Sequence, residues 1–335
     1  MRSLQFTAIN RIDLIEAPAP AAGPGEAVVA IRAAALNHRD VWIKSGQYAG
    51  LKYPCTAGSD GAGVVESVGP GVDPAWVGRE VVINPALDWG PREGAQGAGF
   101  SILGMPRDGT MADRVAVPAA QLAEKPAHLS WEEAAALPLA GLTAYRALFT
   151  RAQLRGAERI LITGVGGGVA AIALQFAVAH GCEVWVTSGA KEKIARAVSL
   201  GARGGFDYRA TGWAAEAVQT AGTFDAVFDS SGGAGFESLI DAVAPGGRIV
   251  FVGATAGNPA SLPMRKVFWR QVSLLGSTMG SPADWAAMLA FVKQHRLRPA
   301  ISAVFPLDRA AEAFEQIERG GQFGKVVVSL GEETR

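Results

Sequence analysis

The sequence predicts a two-part α/β protein in which a β-rich segment precedes a doubly wound parallel sheet. Three observations predict it. Residues 1–125 carry short apolar runs cut by Gly, Pro and Asp. From about residue 159 onward, apolar strands alternate with helical stretches, the pattern of parallel strands joined by crossover helices. At 335 residues, the chain is long enough for two domains with sizeable cores.

Taken in order, "MRSLQFTAINRIDLIEAP" alternates charged and apolar residues and reads as strand rather than as a signal peptide. "EAVVAIRAAAL" (26–36), "GAGVVESVG" (61–69) and "REVVINP" (79–85) read as strands. Residues 86–110 lack periodicity and read as a long loop, and 111–126 return to strand. Residues 130–149 read as helix, with Ser130 as N-cap, Glu132 and Glu133 in the first turn and a break near Pro138. Strands at 159–164, 183–188, 224–232, 248–253 and 272–277 then alternate with helices at 168–181, 191–202 and 236–247. These strands are apolar almost throughout, as strands covered on both faces are. Two amphipathic helices (284–297 and 311–320) and a last strand (324–330) are expected to pack back on the first domain. The expected domains are therefore 1–138 with 282–335, and 139–281.

Composition narrows the function. Basic and acidic residues balance at 31 each with no long charge block, which argues against nucleic acid as the partner. No apolar run reaches the roughly 18–20 residues that span a bilayer, so no membrane partner and a cytoplasmic location are expected. Cys55 and Cys182 cannot supply a four-ligand zinc site and read as reduced thiols.

"RILITGVGGGVAAIALQF" (159–176) is a strand, a glycine-rich turn and a helix in the order that brings a pyrophosphate onto a helix N-terminus. The strict G-x-G-x-x-G pattern is not met, because counting from Gly164 and Gly166 the last position is Val169. The βα unit that follows supports a dinucleotide site all the same. The second strand ends in "VWVTSGAKEK" (184–193), with no acid at its tip to hold a ribose 2′-OH. Ser188, Lys191 and Lys193 stand there instead, and "DYR" follows at 207–209; a hydroxyl and cations suit the 2′-phosphate of NADPH. Lys191 reads more as the solvated face of the next helix than Lys193 does.

Several segments together resemble the medium-chain dehydrogenase/reductase superfamily, in particular its zinc-independent quinone oxidoreductase-like branch. They are "ALNHRDVWIKSGQY", "AGSDGAGVVESVGPGV", "AALPLAGLTAYRAL", "ILITGVGGGVA", "VTSGAKEKIARAVSLGA", "DYR", "APGGRIVFVG" and "GQFGKVVV", spread over essentially the whole chain. The resemblance implies a Rossmann domain beside a GroES-like catalytic domain. It sets Gly167, Gly168, Val169 and Ala170, after Gly166, on the family's phosphate turn, with alanine for the final glycine. Ser188, Lys193 and Tyr208 fall where NADPH-dependent members hold the 2′-phosphate, and Thr143 falls near the nicotinamide. "FVGAT" (251–255, with Gly253 and Ala254) and Gly276, Ser277 and Thr278 fall along the nicotinamide ribose and carboxamide. "VSLLGS" is similar to strands that pair edge to edge in a homodimer.

The resemblance also implies what is missing. Zinc-dependent relatives have Cys where Asn37 stands, His where Ser59 stands and Cys or Asp where Leu139 stands, and four cysteines in the lobe near 85–105. None is present here, and Asn, Ser and Leu are poor zinc ligands. Without a metal to hold an alkoxide, the favoured reaction is hydride transfer to a quinone or an α,β-unsaturated carbonyl, whose charge delocalises onto an oxygen that hydrogen bonds can hold. Asn37 is a candidate donor to that oxygen or a cap, and Tyr48 a candidate donor or a packing ring. His38 is a candidate proton relay, with bulk water as another proton source. Lys44 is a candidate catalytic cation, although its spacing from Asp40 favours a helical ion pair. Trp89, Phe100, Phe268 and Trp269 are candidates for an apolar pocket, the last two more for core or dimer packing. Two alternatives stay open: a metal-free alcohol or aldehyde oxidoreductase, and a non-catalytic NADPH-binding sensor.

Overall fold

The computed structural model describes residues 1–331, so positions 332–335 of the expected final segment lie outside the described residues. The chain divides into two compact units, Met1–Ala140 with Ser281–Arg335, and Gly141–Gly280.

The first unit is built on β-strands. β1 (Arg2–Ala8) pairs antiparallel with β2 (Arg11–Glu16), so the N-terminal stretch is a hairpin rather than one strand. β3 (Glu26–Ala35) leads into the short helix α1 (His38–Lys44). β4 (Cys55–Thr56), β5 (Asp60–Val68) and β6 (Glu80–Ile83) follow. The expected loop at 86–110 holds a small ladder, β7 (Ala86–Leu87) against β8 (Ser101–Ile102). Trp89 explains it: the indole is buried, meets Phe100 edge-on at 5.4 Å and donates to the Arg92 carbonyl at 3.0 Å. Leu87, Leu103 and Met105 of this lobe belong to the core of the first unit. Trp89 is engaged with Phe100 and the Arg92 carbonyl, which corrects its expected place in a substrate pocket.

β9 (Arg114–Pro118) and β10 (Leu122–Glu124) precede α2 (Trp131–Ala135), whose N-cap Ser130 accepts from the Glu133 amide while the Glu133 carboxylate accepts from the Ser130 amide. The break at Pro138 is real: α3 (Pro138–Tyr145) begins there, and the seam between the units falls inside it.

In the second unit the strands run β11 (Arg159–Ile162), β12 (Glu183–Thr187), β13 (Gly204–Phe206), β14 (Phe224–Asp229), β15 (Val243–Phe251) and β16 (Ser273–Gly276). Between them lie α4 (Gly168–Ala179), α5 (Lys191–Ser199), α6 (Trp213–Ala221), α7 (Phe236–Ala242) and α8 (Met264–Trp269). The spatial order β13-β12-β11-β14-β15-β16, parallel throughout, is the doubly wound arrangement, with its switch point between β11 and β14. Phe224, Val227, Ile240, Val243 and Ile249 are buried in its core. The helix expected over 236–247 stops at Ala242, because Pro245, Gly246 (φ +75°) and Gly247 cannot continue it; β15 starts instead, with a register shift against β14. Phe268 and Trp269 are 66% and 80% exposed on α8, so a core role for that pair is corrected.

The chain then returns to the first unit as α9 (Pro282–His295), β17 (Ile301–Pro306), α10 (Ala310–Glu318) and β18 (Lys325–Ser329). β18 pairs antiparallel with β3, and Phe314 of α10 meets Phe6 of β1 edge-on at 6.0 Å. The tail packs back as its apolar pattern predicts.

Candidate active site

Sheet register brings three distant polar residues of the first unit together. Ala35, the last residue of β3, lies opposite Asp60 of β5 on one side and Val327 of β18 on the other. Asn37 follows β3, Asp60 opens β5 and Lys325 opens β18, so their side chains converge. The Lys325 ammonium donates to Asn37 Oδ1 at 2.6 Å and to Asp60 Oδ2 at 2.8 Å. Asn37 Nδ2 donates to the same Asp60 oxygen at 2.9 Å, and the Leu139 amide donates to Asp60 Oδ1 at 2.8 Å. Asp60 is 0% exposed and Lys325 3%, so this is a desolvated ion pair with both carboxylate oxygens satisfied. Gly324 sets the entry to β18: its φ is +90°, and a Cβ there would lie 2.1 Å from the Ala300 carbonyl oxygen.

Beside it lies a second buried cation. Arg39 on α1 donates to Ser59 Oγ at 2.6 Å and to the Leu103 and Met105 carbonyls. Its Nε donates to the Tyr48 hydroxyl at 3.3 Å, and its guanidinium carbon stands 4.8 Å from the Tyr48 ring centre. Tyr48 therefore accepts from Arg39, which leaves its own O–H to donate. Asp40 accepts from the Asn37 backbone amide through Oδ2, while its Oδ1 is buried with no partner. Burial pushes Asp40 up to about 6, against the lowering pull of Arg39, the Asn37 amide and Lys325.

This donor set does not fit a divalent ion. Ser59 already accepts from a guanidinium, Asn37 Oδ1 accepts from an ammonium, and Leu139 offers only its backbone N–H to Asp60. Two fixed cations stand where a metal would add charge. Among the described residues, no group of three His, Cys, Asp or Glu is arranged to hold a metal.

Two candidates sit differently from expectation. Lys44 does not pair with Asp40; its ammonium bonds Glu318 of α10 at 2.7 Å, because Asp40 faces inward at the start of α1. That engagement corrects Lys44 as a free catalytic cation. His38 lies on the exposed side of α1, edge-on to Trp42 at 5.1 Å, and partial burial lowers its pKa, so it is neutral at pH 7. Both thiols are free, and burial pushes Cys55 up to about 12 and Cys182 up to about 11.

In the second unit, the turn after β11 carries the dinucleotide features. Gly164 has φ +58° and its amide donates to Thr187 Oγ1; the Gly167 amide donates back to the Gly164 carbonyl. α4 then starts at Gly168, so the amides of Gly168, Val169 and Ala170 lie in its first turn. A cleft of about 320 Å³ opens beside this turn, lined by Gly164, Thr187, Tyr208, Asp229, Gly232 and Thr255 among others. Asp229 braces its floor, accepting from Thr163 Oγ1 and from the Ser231 and Gly232 amides.

At the tip of β12, Ser188 accepts from the Ala190 amide. Arg209 and Tyr208 lie against Gly189: a Cβ there would stand 2.9 Å from Arg209 Nε and 3.1 Å from the Tyr208 hydroxyl. Arg209 and Tyr208 thus border this tip, and Asp207 pairs with the guanidinium. Lys193 stands half-buried one turn into α5, and burial lowers its pKa. Thr143 is buried and donates to Met279 Sδ at 3.8 Å. Gly253 and Ala254 follow β15, and Gly276, Ser277 and Thr278 follow or end β16. Ser277 Oγ is buried without a hydrogen-bond partner, which fits a polar group arriving from a ligand such as a nicotinamide carboxamide.

Sequence reading missed Lys325, Asp60 and Arg39 as site residues, and took Arg209 only as part of the "DYR" run. The signal for Lys325 was a lone cation opening an otherwise apolar buried strand.

Comparison with known proteins agrees with both units. Residues 23–127 match the alcohol dehydrogenase GroES-like domain, and residues 168–294 match the zinc-binding dehydrogenase family. The chain is 34% identical to the zinc-type alcohol dehydrogenase-like protein YogA of Leptosphaeria maculans, covering 96% of this chain and 94% of that protein. It is 28% identical to the quinone oxidoreductase of Rattus norvegicus, over 93% and 91% of the two chains. A crystal structure of an NAD-dependent alcohol dehydrogenase superposes with a TM-score of 0.94 at 40% identity, covering 99% of this chain and 100% of that one.

Proposed function

The chain belongs to the medium-chain dehydrogenase/reductase superfamily and is an oxidoreductase of that type, and on that premise we propose that it is an NADPH-dependent reductase of quinones or α,β-unsaturated carbonyls that works without a metal. The observation that carries the proposal is the donor set around Asn37, filled by Lys325 and Arg39 rather than by metal ligands.

Bound reduced nicotinamide supplies the hydride. The chain's part is to hold the cofactor and to steady the charge that develops on the acceptor oxygen. The second N–H of Asn37 Nδ2 is unspent once Asp60 has taken the first, and the Tyr48 O–H is free to donate. Two neutral donors suit an enolate or a hydroquinone anion, whose charge is spread by conjugation. An alkoxide from a simple alcohol concentrates its charge and loses several kcal/mol of metal stabilisation.

The preference for NADPH rests on the absence of an acid at the tip of β12, on Ser188, Tyr208 and Arg209 around Gly189, and on Lys193 in the first turn of α5. Edge pairing of β16 into a homodimer belongs to the same proposal. Similarity to an NAD-dependent alcohol dehydrogenase favours a second reading, a metal-free alcohol or aldehyde oxidoreductase. The test is a panel run in both directions with NADPH and NADH: naphthoquinones and enones forward, primary and secondary alcohols in reverse. We expect NADPH oxidation by the conjugated acceptors. Turnover confined to alcohols and their aldehydes or ketones would transfer the assignment to the second reading.

A further inference from the structure

The mechanism proposed above uses Asn37 but not the buried cation bonded to it. A primary amide can present either end to a neighbour, and an amide oxygen turned toward an acceptor's oxygen would repel it. In this protein the ends are assigned by charge. Lys325 presents three donors and no acceptor, and it stands 2.6 Å from Asn37 Oδ1. Ionised Asp60 presents only acceptors, and it stands 2.9 Å from Asn37 Nδ2. Rotating the amide by half a turn would set NH2 against the ammonium and oxygen against the carboxylate, both unfavourable in a desolvated site.

Asp60 alone would also be a hazard, since its negative charge lies next to the amide that is to receive a developing oxyanion. The Lys325 ammonium, 2.8 Å away, cancels that charge where solvent does not reach. Every contact involved lies within the first unit. No neutral residue does both things.

We propose that Lys325 is the positioning residue of the reaction: it locks the Asn37 amide with Nδ2 on the Asp60 side and one N–H unspent, and it neutralises Asp60, so that a neutral donor meets the acceptor oxygen. The inference rests on the reading that Asn37 binds that oxygen.

The test uses the full-length protein, NADPH and a series of 1,4-quinones of graded electron affinity. N37A checks the underlying reading and is expected to lower kcat about 100-fold. If N37A retains wild-type kcat, that reading fails, whatever Lys325 does. K325M/D60N removes the pair together, so that no buried charge is orphaned. It is expected to lose about 10-fold in kcat, with NADPH affinity unchanged. The dependence of log kcat on acceptor electron affinity is expected to steepen, because poorer acceptors need the donor most. K325R keeps a cation on both partners and is expected to keep the wild-type slope and kcat to within about threefold. A merely structural role would change stability and leave the slope alone. With N37A impaired, a wild-type slope and kcat in folded K325M/D60N would overturn the proposal. So would a K325R slope as steep as expected for the pair's removal, and this arm decides alone if the double variant does not fold.

Discussion

Two clusters of charge in this protein use similar side chains to opposite ends. In the first unit, Lys325 and Asp60 are shut away from solvent; they bond each other and Asn37, and Asp60 also accepts from the Leu139 amide. At the tip of β12 in the second unit, Arg209 and Asp207 form an ion pair with side chains 64% and 36% exposed. The buried pair holds an amide in one orientation and is part of the fold. The exposed pair contributes little to stability, and in the proposed function its guanidinium is the group that would meet a phosphate. The difference teaches that burial, not residue type, decides whether a cation belongs to the structure or to the ligand.

The comparison breaks most visibly at Lys325. K325M leaves the Asp60 carboxylate buried without its cation and is expected to cost about 3–5 kcal/mol of stability, read from urea unfolding. K325M/D60N should recover most of that loss. A single variant that unfolds at the wild-type midpoint would show that the pair is solvated after all.

Asp40 sharpens the interior side of the comparison. Its folded pKa of about 6 lies above the ordinary carboxylate value, so the folded state binds this proton more tightly than the unfolded state does. The sign follows from linkage: this group's contribution falls as pH rises from about 4 to about 6 and is constant above. The D40N variant, which keeps an acceptor for the Asn37 amide, should remove that dependence and add on the order of 2 kcal/mol at pH 8. Unfolding midpoints of the two proteins between pH 4 and 8 test it; parallel curves would contradict it.

The exposed side gives the smallest effect. R209A should raise the KM for NADPH about 10-fold, leave NADH unaffected and leave the melting temperature nearly unchanged. An equal loss with both cofactors would mean that Arg209 shapes the tip of β12 rather than meeting a 2′-phosphate.

The two regions also differ in how much of them was legible in the sequence. The cofactor side is local: a strand, a glycine turn and a helix in succession, then a strand tip with no acid, all within residues 159–193. A phosphate site of that kind is built largely from backbone amides, so chain order carries the information. The acceptor side depends on sheet register. Asn37 and Lys325 are 288 positions apart and meet only because β5 and β18 flank the end of β3. The spacing of Asp40 and Lys44 pointed to a helical pair, but α1 turns Asp40 inward, and Lys44 finds Glu318 on a helix near the other end of the chain. Trp89 looked like pocket lining because nothing in 86–110 is periodic, and a two-residue ladder has no period to show.

The central claim is that neutral donors backed by a buried ammonium do here what a metal does in the zinc-dependent members. The most direct measurement is the rate of NADPH oxidation by a naphthoquinone after exhaustive chelation, with metal content determined on the same sample. The account predicts undiminished turnover in protein holding far less than one metal ion per chain. Activity that disappears with the metal and returns in proportion to added zinc would contradict it.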